Sequence, residues 1–464
     1  MSRWMQRKPI ELSGLRDDQR LAPTLHWWHL VALGVGAIVG TGIYTLVGVG
    51  ANLAGPSVIL SFLIAGSICA CAALAYAEVA TMIPASGSAY TYSYTVLGEV
   101  FAWVVGWSLI LEYSLVVSAV AVGWSGYASG FMTSIGLPLP LALTTAPHAG
   151  GIINIPAMLI IGLVSGLLSL GTKESATINA VLVVVKIVAL LIFVVVALPH
   201  FDASHFTPFM PHGFAGKSVD GVQYGVMAAA AIIFFAFYGF DAISTAAEET
   251  HDPGRDLPIG IIGSMLVCTL IYVGVAAVAV GSMDYTVYAK SAEPLALILR
   301  ELDRGGVAAI IGAAAIIALP TVILAFLYGQ SRIFFVMARD ALLPQALAKV
   351  NARTGTPIRI TMLTAVVVAI LAGLVPLDEI AALANAGTLV AFIAVATCML
   401  VLRRREPERK RVFRTPLAWL VGPAAILGCL YLFWSLPTKT HQFFLIWNLV
   451  GFALYVLWSR RRAV

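Results

Sequence analysis

Apolar residues run through this chain in long blocks separated by short polar connections. A helix rises 1.5 Å per residue, so roughly 20 apolar residues cross the hydrocarbon core of a bilayer. By that measure the pattern predicts twelve membrane-spanning helices, over residues 28–53, 57–83, 99–132, 155–171, 177–199, 224–248, 257–283, 306–337, 358–375, 380–402, 415–436 and 441–459. Spans 3 and 8 are long and are expected to tilt or to project from the membrane. Two connections read as outer loops. Residues 133–154 are rich in Pro, Gly and Thr without Lys or Arg, and residues 284–305 carry a short amphipathic stretch.

Composition agrees with this pattern. Of 464 residues, 60% are apolar and 11% charged, against roughly 25% charged in soluble domains. Mean hydropathy is +0.93. No soluble core of this length hides so much apolar surface, so lipid is the expected solvent. The first 25 residues are polar and mixed in charge, which does not fit a cleavable signal peptide.

Charge then orients the chain. With the N-terminus placed in the cytoplasm, 22 of the 28 Lys and Arg residues fall on that side, 5 on the other, and Lys186 stays within the membrane. Such asymmetry supports an even number of spans with both termini inside. The run from Arg403 to Arg414 suits anionic lipid headgroups. The net charge of +5 therefore reads as topology, not as nucleic-acid binding. The expected layout is a cytoplasmic segment (1–27), five spans (28–199), five more (224–402), a final pair (415–459) and a short cytoplasmic end (460–464).

Five cysteines, Cys69, Cys71, Cys268, Cys398 and Cys429, lie in apolar runs without a CxxC pair, so neither a disulfide framework nor a zinc site is expected. The eight histidines show no metal-ligand spacing. No cofactor is expected.

Two spans are interrupted at mid-membrane depth. Span 1 carries Gly36-Ala37-Ile38-Val39-Gly40-Thr41-Gly42. Each glycine costs a helix interior about 1 kcal/mol relative to Ala. These glycines either let the helix unwind toward a ligand or serve small-residue helix packing. Span 6 carries Phe234-Phe235-Ala236-Phe237-Tyr238-Gly239-Phe240-Asp241, where a glycine and an acid break an aromatic run. Spans 1 and 6 are five apart, the spacing of two inverted five-helix repeats, and matched breaks point to a substrate site between them.

The chemistry follows from the breaks. A half-helix starting near Thr41-Gly42 offers unpaired N–H groups to a carboxylate. Carbonyls freed at Ile38, Phe235, Ala236 and Tyr238 suit an ammonium. One α-amino acid meets both needs, with Gly40 between the two sets.

Three ionisable residues lie deep in the apolar blocks, where charge is costly. Lys186, about ten residues from either end of span 5, is either a structural amine held by carbonyls or Glu112, or an amine that exchanges a proton. Glu112 either lines the pocket or locks helix packing. Asp241 is expected to anchor the span 6 break. The run Glu248, Glu249, Asp252, Arg255 and Asp256 reads as a solvated charged end in preference to an inner gate, because exposed ion pairs contribute only ~0–1 kcal/mol.

These stretches resemble the amino acid–polyamine–organocation superfamily, and within it the bacterial relatives of cationic amino acid transporters. The resemblance rests on GVGAIVGTGIYTLVG, ASGSAYTYSYTVLGEVFAWVVGWSLILEY, GTKESATINAVLVVVK, FFAFYGFDAISTAAEE followed by DPGRDLPIGI, GQSRIFFVMARDALLP and FRTPLAWLVGP, and covers nearly the whole chain. It implies an all-α integral membrane fold of 12 helices: a five-plus-five inverted repeat like that of the bacterial leucine transporter, helices 1 and 6 broken, and two extra helices. It implies that Thr41 and Gly42 take the substrate carboxylate and that carbonyls of Ile38, Phe235, Ala236 and Tyr238 take the amine. It also implies that the Lys186 ammonium replaces the sodium ion that sodium-coupled relatives hold between helices 1 and 8. Tyr238 and Pro320 depart from the expected residues at the pocket, which leaves substrate size open.

The sequence reading is thus a proton-coupled amino acid symporter of the bacterial inner membrane, not an enzyme, with small neutral or broad substrates ahead of cationic ones. The alternatives are an amino acid or polyamine exchanger without proton coupling and a permease specific for cationic amino acids. Expected partners are amino acids, protons and membrane lipid, with a small accessory membrane subunit as a further candidate and no nucleic acid.

Overall fold

A computed structural model describes residues 7–8, 23–147, 150–170, 172–215, 217–219, 222–289, 291, 293–351, 354, 356–375 and 377–461. Most of the expected cytoplasmic segment, residues 1–6 and 9–22, and the last three residues lie outside the described ones.

The long apolar blocks wind into helices in chain order: α1 (Trp27–Ile38), α2 (Thr41–Tyr44), α3 (Leu46–Ala54), α4 (Val58–Met82), α5 (Ser88–Val96), α6 (Glu99–Ser134), α7 (Leu141–Thr144), α8 (Ile155–Leu170), α9 (Thr172–Ala197), α10 (Val226–Ile233), α11 (Phe240–Thr245), α12 (Pro253–Ser282), α13 (Tyr285–Tyr288), α14 (Pro294–Glu301), α15 (Gly305–Ala318), α16 (Pro320–Arg339), α17 (Ile358–Leu374), α18 (Leu377–Arg405), α19 (Ala418–Trp434) and α20 (Thr438–Arg461). Among the described residues, nine helical stretches are long and apolar enough to cross a membrane, and α8, α17 and α19 are shorter apolar helices. The only strands described, β1 (Lys217–Val219) and β2 (Val222–Tyr224), pair as a small antiparallel hairpin before α10.

Helix α6 spans 36 residues, and α15 with α16 covers Gly305–Arg339, so the two long spans are as expected. Pro320 opens α16 after a single intervening residue, Leu319. Proline is tolerated at a first helical position, where no N–H is needed. The chain therefore continues in nearly the same helix instead of breaking.

Two groups of helices meet at the centre. Helix α4 packs on α12, and α12 on α1; α6 packs on α16, α18, α17 and α8; α1 then joins the groups by touching α9, α11 and α16. The outer surface is apolar, with Leu163, Val195, Leu270 and Leu420 standing exposed. An apolar exterior, with charged side chains such as Lys186, Asp241 and Arg332 kept inside, suits lipid as solvent.

Helix α5 was not among the expected spans. Its stretch Ser88–Val96 is rich in Ser, Thr and Tyr, yet nearly all of it is buried. The charged run after span 6 also differs from expectation. Glu249 and Asp256 are buried, Glu249 pairs with Arg332 at 3.0 Å, and Glu248 pairs with Arg339 at 2.9 Å. Asp252 and Arg255 are exposed as a solvated end would have them, but the reading fails for Glu248 and Glu249, because α16 brings two arginines under their carboxylates, a pairing that local composition does not encode.

Candidate functional site

The first span breaks after Ile38. Val39 is extended, and α2 starts afresh at Thr41. The sixth span breaks after Ile233: a short 3-10 turn over Phe234–Ala236 leads through Gly239, at φ +123°, into α11. That backbone angle lies in the region that only glycine adopts without strain. The two breaks face each other and interlock. A Cβ on Gly42 would fall within the side chain and Cα of Ala236. A Cβ on Gly239 would lie 2.8 Å from Ala37 Cβ and 3.0 Å from the Ala37 carbonyl carbon. Each break thus carries the glycine that lets the other approach.

Between the breaks lies a small cavity of about 10 Å³, room for about one water molecule, beside Ile38, Gly40, Gly42, Phe235 and Tyr238. Its side-chain walls include Val116 and Val120 of α6 and Val322 and Phe326 of α16. Of the sequence-predicted residues, these five come together, and Ala236 sits against Gly42. Thr41 opens α2, with its side chain outside the described atoms. Glu112 lies one helical turn from Val116 on α6, fully buried, behind the cavity and not on its wall. Neither of its carboxylate oxygens has a hydrogen bond of good geometry among the described residues, and the Thr388 hydroxyl is its nearby polar neighbour.

Several side chains tend the carbonyls that the breaks release. The Tyr272 hydroxyl donates to the Ile38 carbonyl at 2.5 Å, leaving that oxygen one free lone pair. The Tyr127 hydroxyl donates to Tyr44 O at 2.8 Å, and Asn385 Nδ2 to Ala231 O at 3.0 Å. On span 6, Asp241 accepts from the Gly239 N–H at 3.0 Å and from the Tyr113 hydroxyl. The anchoring role read for Asp241 therefore has a specific form: its carboxylate holds the backbone turn.

Lys186 is fully buried on α9. Its Nζ donates to Gly36 O at 2.9 Å, to Val39 O at 2.5 Å and to the Thr321 hydroxyl. Thr321 in turn donates toward Gly36 O or Ala318 O. The amine thus bridges the broken end of α1 and the start of α16, with three neutral oxygens around it. Glu112 is not among its partners. Sequence reading missed Thr321, Tyr272 and Tyr127. Pro320 drew attention instead, although it is the next residue, Thr321, whose hydroxyl meets the amine.

On the face where the chain enters α1, backbone pairing ties the entry segment to the end of span 6. The amides of Thr24 and Leu25 donate to Glu249 O at 2.8 Å each, and His251 N–H donates to Leu25 O at 2.9 Å. The Glu249–Arg332 pair lies beneath, with Tyr328 donating to Glu249. Lys8 reaches Asp340 at 2.6 Å. Among the described residues no group of three His, Cys, Asp or Glu side chains is placed to hold a metal ion.

A cavity between two facing broken spans is the arrangement in which membrane transporters hold substrate. The chain belongs to the amino acid permease family, whose sequence profile matches residues 25–458. It is 44% identical over 456 residues to the branched-chain amino acid permease BcaP of Bacillus subtilis, covering 97% of this chain and 96% of that one. It is 42% identical over 468 residues to the methylthioribose transporter of the same organism, covering 100% and 99%. It is 39% identical over 412 residues to the vacuolar cationic amino acid transporter 2 of Arabidopsis thaliana, covering 88% and 64%. The protein is accordingly a transporter and not an enzyme.

Proposed function

We propose that this protein imports neutral amino acids across a bacterial inner membrane, coupled to protons, through the cavity between its first and sixth spans. The observation that carries the reading is the interlock of Gly42 with Ala236 and of Gly239 with Ala37, which sets two broken backbones around one small space. Amides at the start of α2, those of Thr41 and Gly42, face a substrate carboxylate. Carbonyls of Ile38, Phe235, Ala236 and Tyr238 face its ammonium. The apolar walls, Val116, Val120, Val322 and Phe326, favour an aliphatic side chain over a cationic one. The similarity to a branched-chain permease supports the same choice.

In this reading the nine long helical stretches and the three shorter apolar helices make twelve spans, the first ten as two inverted repeats, with both termini cytoplasmic. The face closed by Leu25, Glu249 and Arg332 is then the cytoplasmic gate. Spans 1, 2, 6 and 7 rock against 3, 4, 8 and 9 to alternate access. Lys186 couples this motion to protons. As an ammonium it has three donors and ties α1 to α16; as a neutral amine it has only two. Losing its proton loosens the inner half of span 1 from span 8, and that half lines the cavity.

Uptake of a panel of labelled amino acids into proteoliposomes tests the proposal. Accumulation of neutral aliphatic amino acids under an inward proton gradient supports it. Uptake only against preloaded internal substrate would assign the protein as an exchanger.

A further inference from the structure

The central cavity is not the only space along the seam of α6 and α15–α16. A second cavity, of about 110 Å³, opens farther along both helices. It is lined by Tyr127, Glu293, Arg300, Gly130, Gly305 and Gly312, among others. Tyr127 lies seven residues beyond Val120, about 10 Å along α6 at 1.5 Å per residue. Gly312 lies ten residues before Val322, about 15 Å along the other wall. Positions 116, 120, 127 and 131 of α6 recur at helical spacing, so the two cavities share one face of that helix.

Two opposite charges stand in this outer cavity. Arg300 Nη2 and Glu293 Oε1 are 2.7 Å apart, both from the ends of α14. They are partly exposed, with side-chain accessibilities of 44% and 23%. Gly130 packs directly on the Glu293 carboxylate, where an added Cβ would lie 3.3 Å from Oε2. Small residues on both walls leave room beside the pair. A partly exposed ion pair is weak, so a ligand bearing both charges can open it at little cost.

We infer that this cavity is a second amino acid site, an outer station for the zwitterion before it reaches the central one. The substrate carboxylate takes the Arg300 guanidinium, a geometry suited to paired N–H···O bonds. Its ammonium takes the Glu293 carboxylate. The floor connects to the central machinery: Tyr127, nearly fully buried, donates to the carbonyl of Tyr44 at the end of α2. Tyr44 in turn donates to Lys186 O. The inference rests on the proposed function for its ligand class and for the direction from which substrate arrives.

Equilibrium binding of tritiated leucine to the purified full chain in nanodiscs tests it. Wild type should bind two leucines per chain. Gly42→Val, which forces the two breaks apart at the central cavity, should bind one, displaced by other zwitterionic amino acids but not by a monocarboxylate or a monoamine. Arg300→Gln and Glu293→Gln in the otherwise native chain should each reduce two sites to one, and Gly42→Val/Arg300→Gln should bind none. One site in wild type, unchanged in Arg300→Gln and lost in Gly42→Val, would overturn the outer site and leave the central one standing. No binding in wild type would remove the proposed function as well.

Discussion

Gly42 and Ala236 are in direct contact across the two broken spans, so closely that no side chain fits on Gly42 unless Ala236 gives way. Gly42→Ala therefore forces the breaks apart. Overpacking of this kind costs about 1–3 kcal/mol, and the displaced groups are the ones proposed to bind substrate. Leucine uptake at low concentration should fall at least about tenfold, the equivalent of 1.4 kcal/mol. The double variant Gly42→Ala/Ala236→Gly should recover much of the loss, because it restores the removed volume on the facing residue. Wild-type uptake by Gly42→Ala would mean the contact is not part of the transport site.

Lys186 gives a second expectation. Its ammonium is held by Gly36 O, Val39 O and the Thr321 hydroxyl. Lys186→Ala removes the proposed proton carrier but none of the side chains around the cavity. Uptake driven by a pH gradient should be lost, while exchange of labelled for unlabelled leucine at equal pH persists at a reduced rate. The two assays run on the same proteoliposomes. Gradient-driven accumulation at the wild-type level in Lys186→Ala would remove Lys186 from the coupling step.

The closed face supplies a third. Glu249 and Arg332 form a pair whose side chains are 1% and 0% exposed. Removing one member of a buried pair leaves an unpaired charge and costs about 3–5 kcal/mol. Arg332→Met should lower the melting temperature in detergent by several degrees and raise the labelling rate of a cysteine placed at Val322 by a cytoplasmic thiol reagent. Arg332→Met/Glu249→Gln should melt higher than Arg332→Met, since the second change removes the orphaned charge. A double variant less stable than the single one would contradict this view of the pair.

How much of this was legible in the sequence depended on the kind of signal. The breaks were visible because Gly36, Gly40, Gly42, Gly239 and Asp241 interrupt apolar runs, and such residues are costly in a continuous span. Lys186 was visible for the same reason. Its partner Thr321 was not, because the two meet across 135 residues and helical periodicity does not say which helices touch. The Glu249–Arg332 pair was misread as a solvated end, since a charged run after an apolar one looks the same in either case. Helix α5 escaped because its Ser, Thr and Tyr residues score as polar, although buried aromatic contacts such as Tyr92 on Tyr76 hold it inside. Glu112 was read as either lining the pocket or locking helix packing; it is fully buried one turn from Val116 of the cavity wall.

The most direct measurement is net uptake of labelled leucine, alanine, lysine and arginine into proteoliposomes of the wild-type chain, with and without an inward proton gradient. Leucine should accumulate above its external concentration only when the gradient is present, with lysine and arginine far behind. Equal leucine levels inside and out under the gradient, or accumulation of lysine in preference to leucine, would contradict a proton-driven carrier of neutral amino acids.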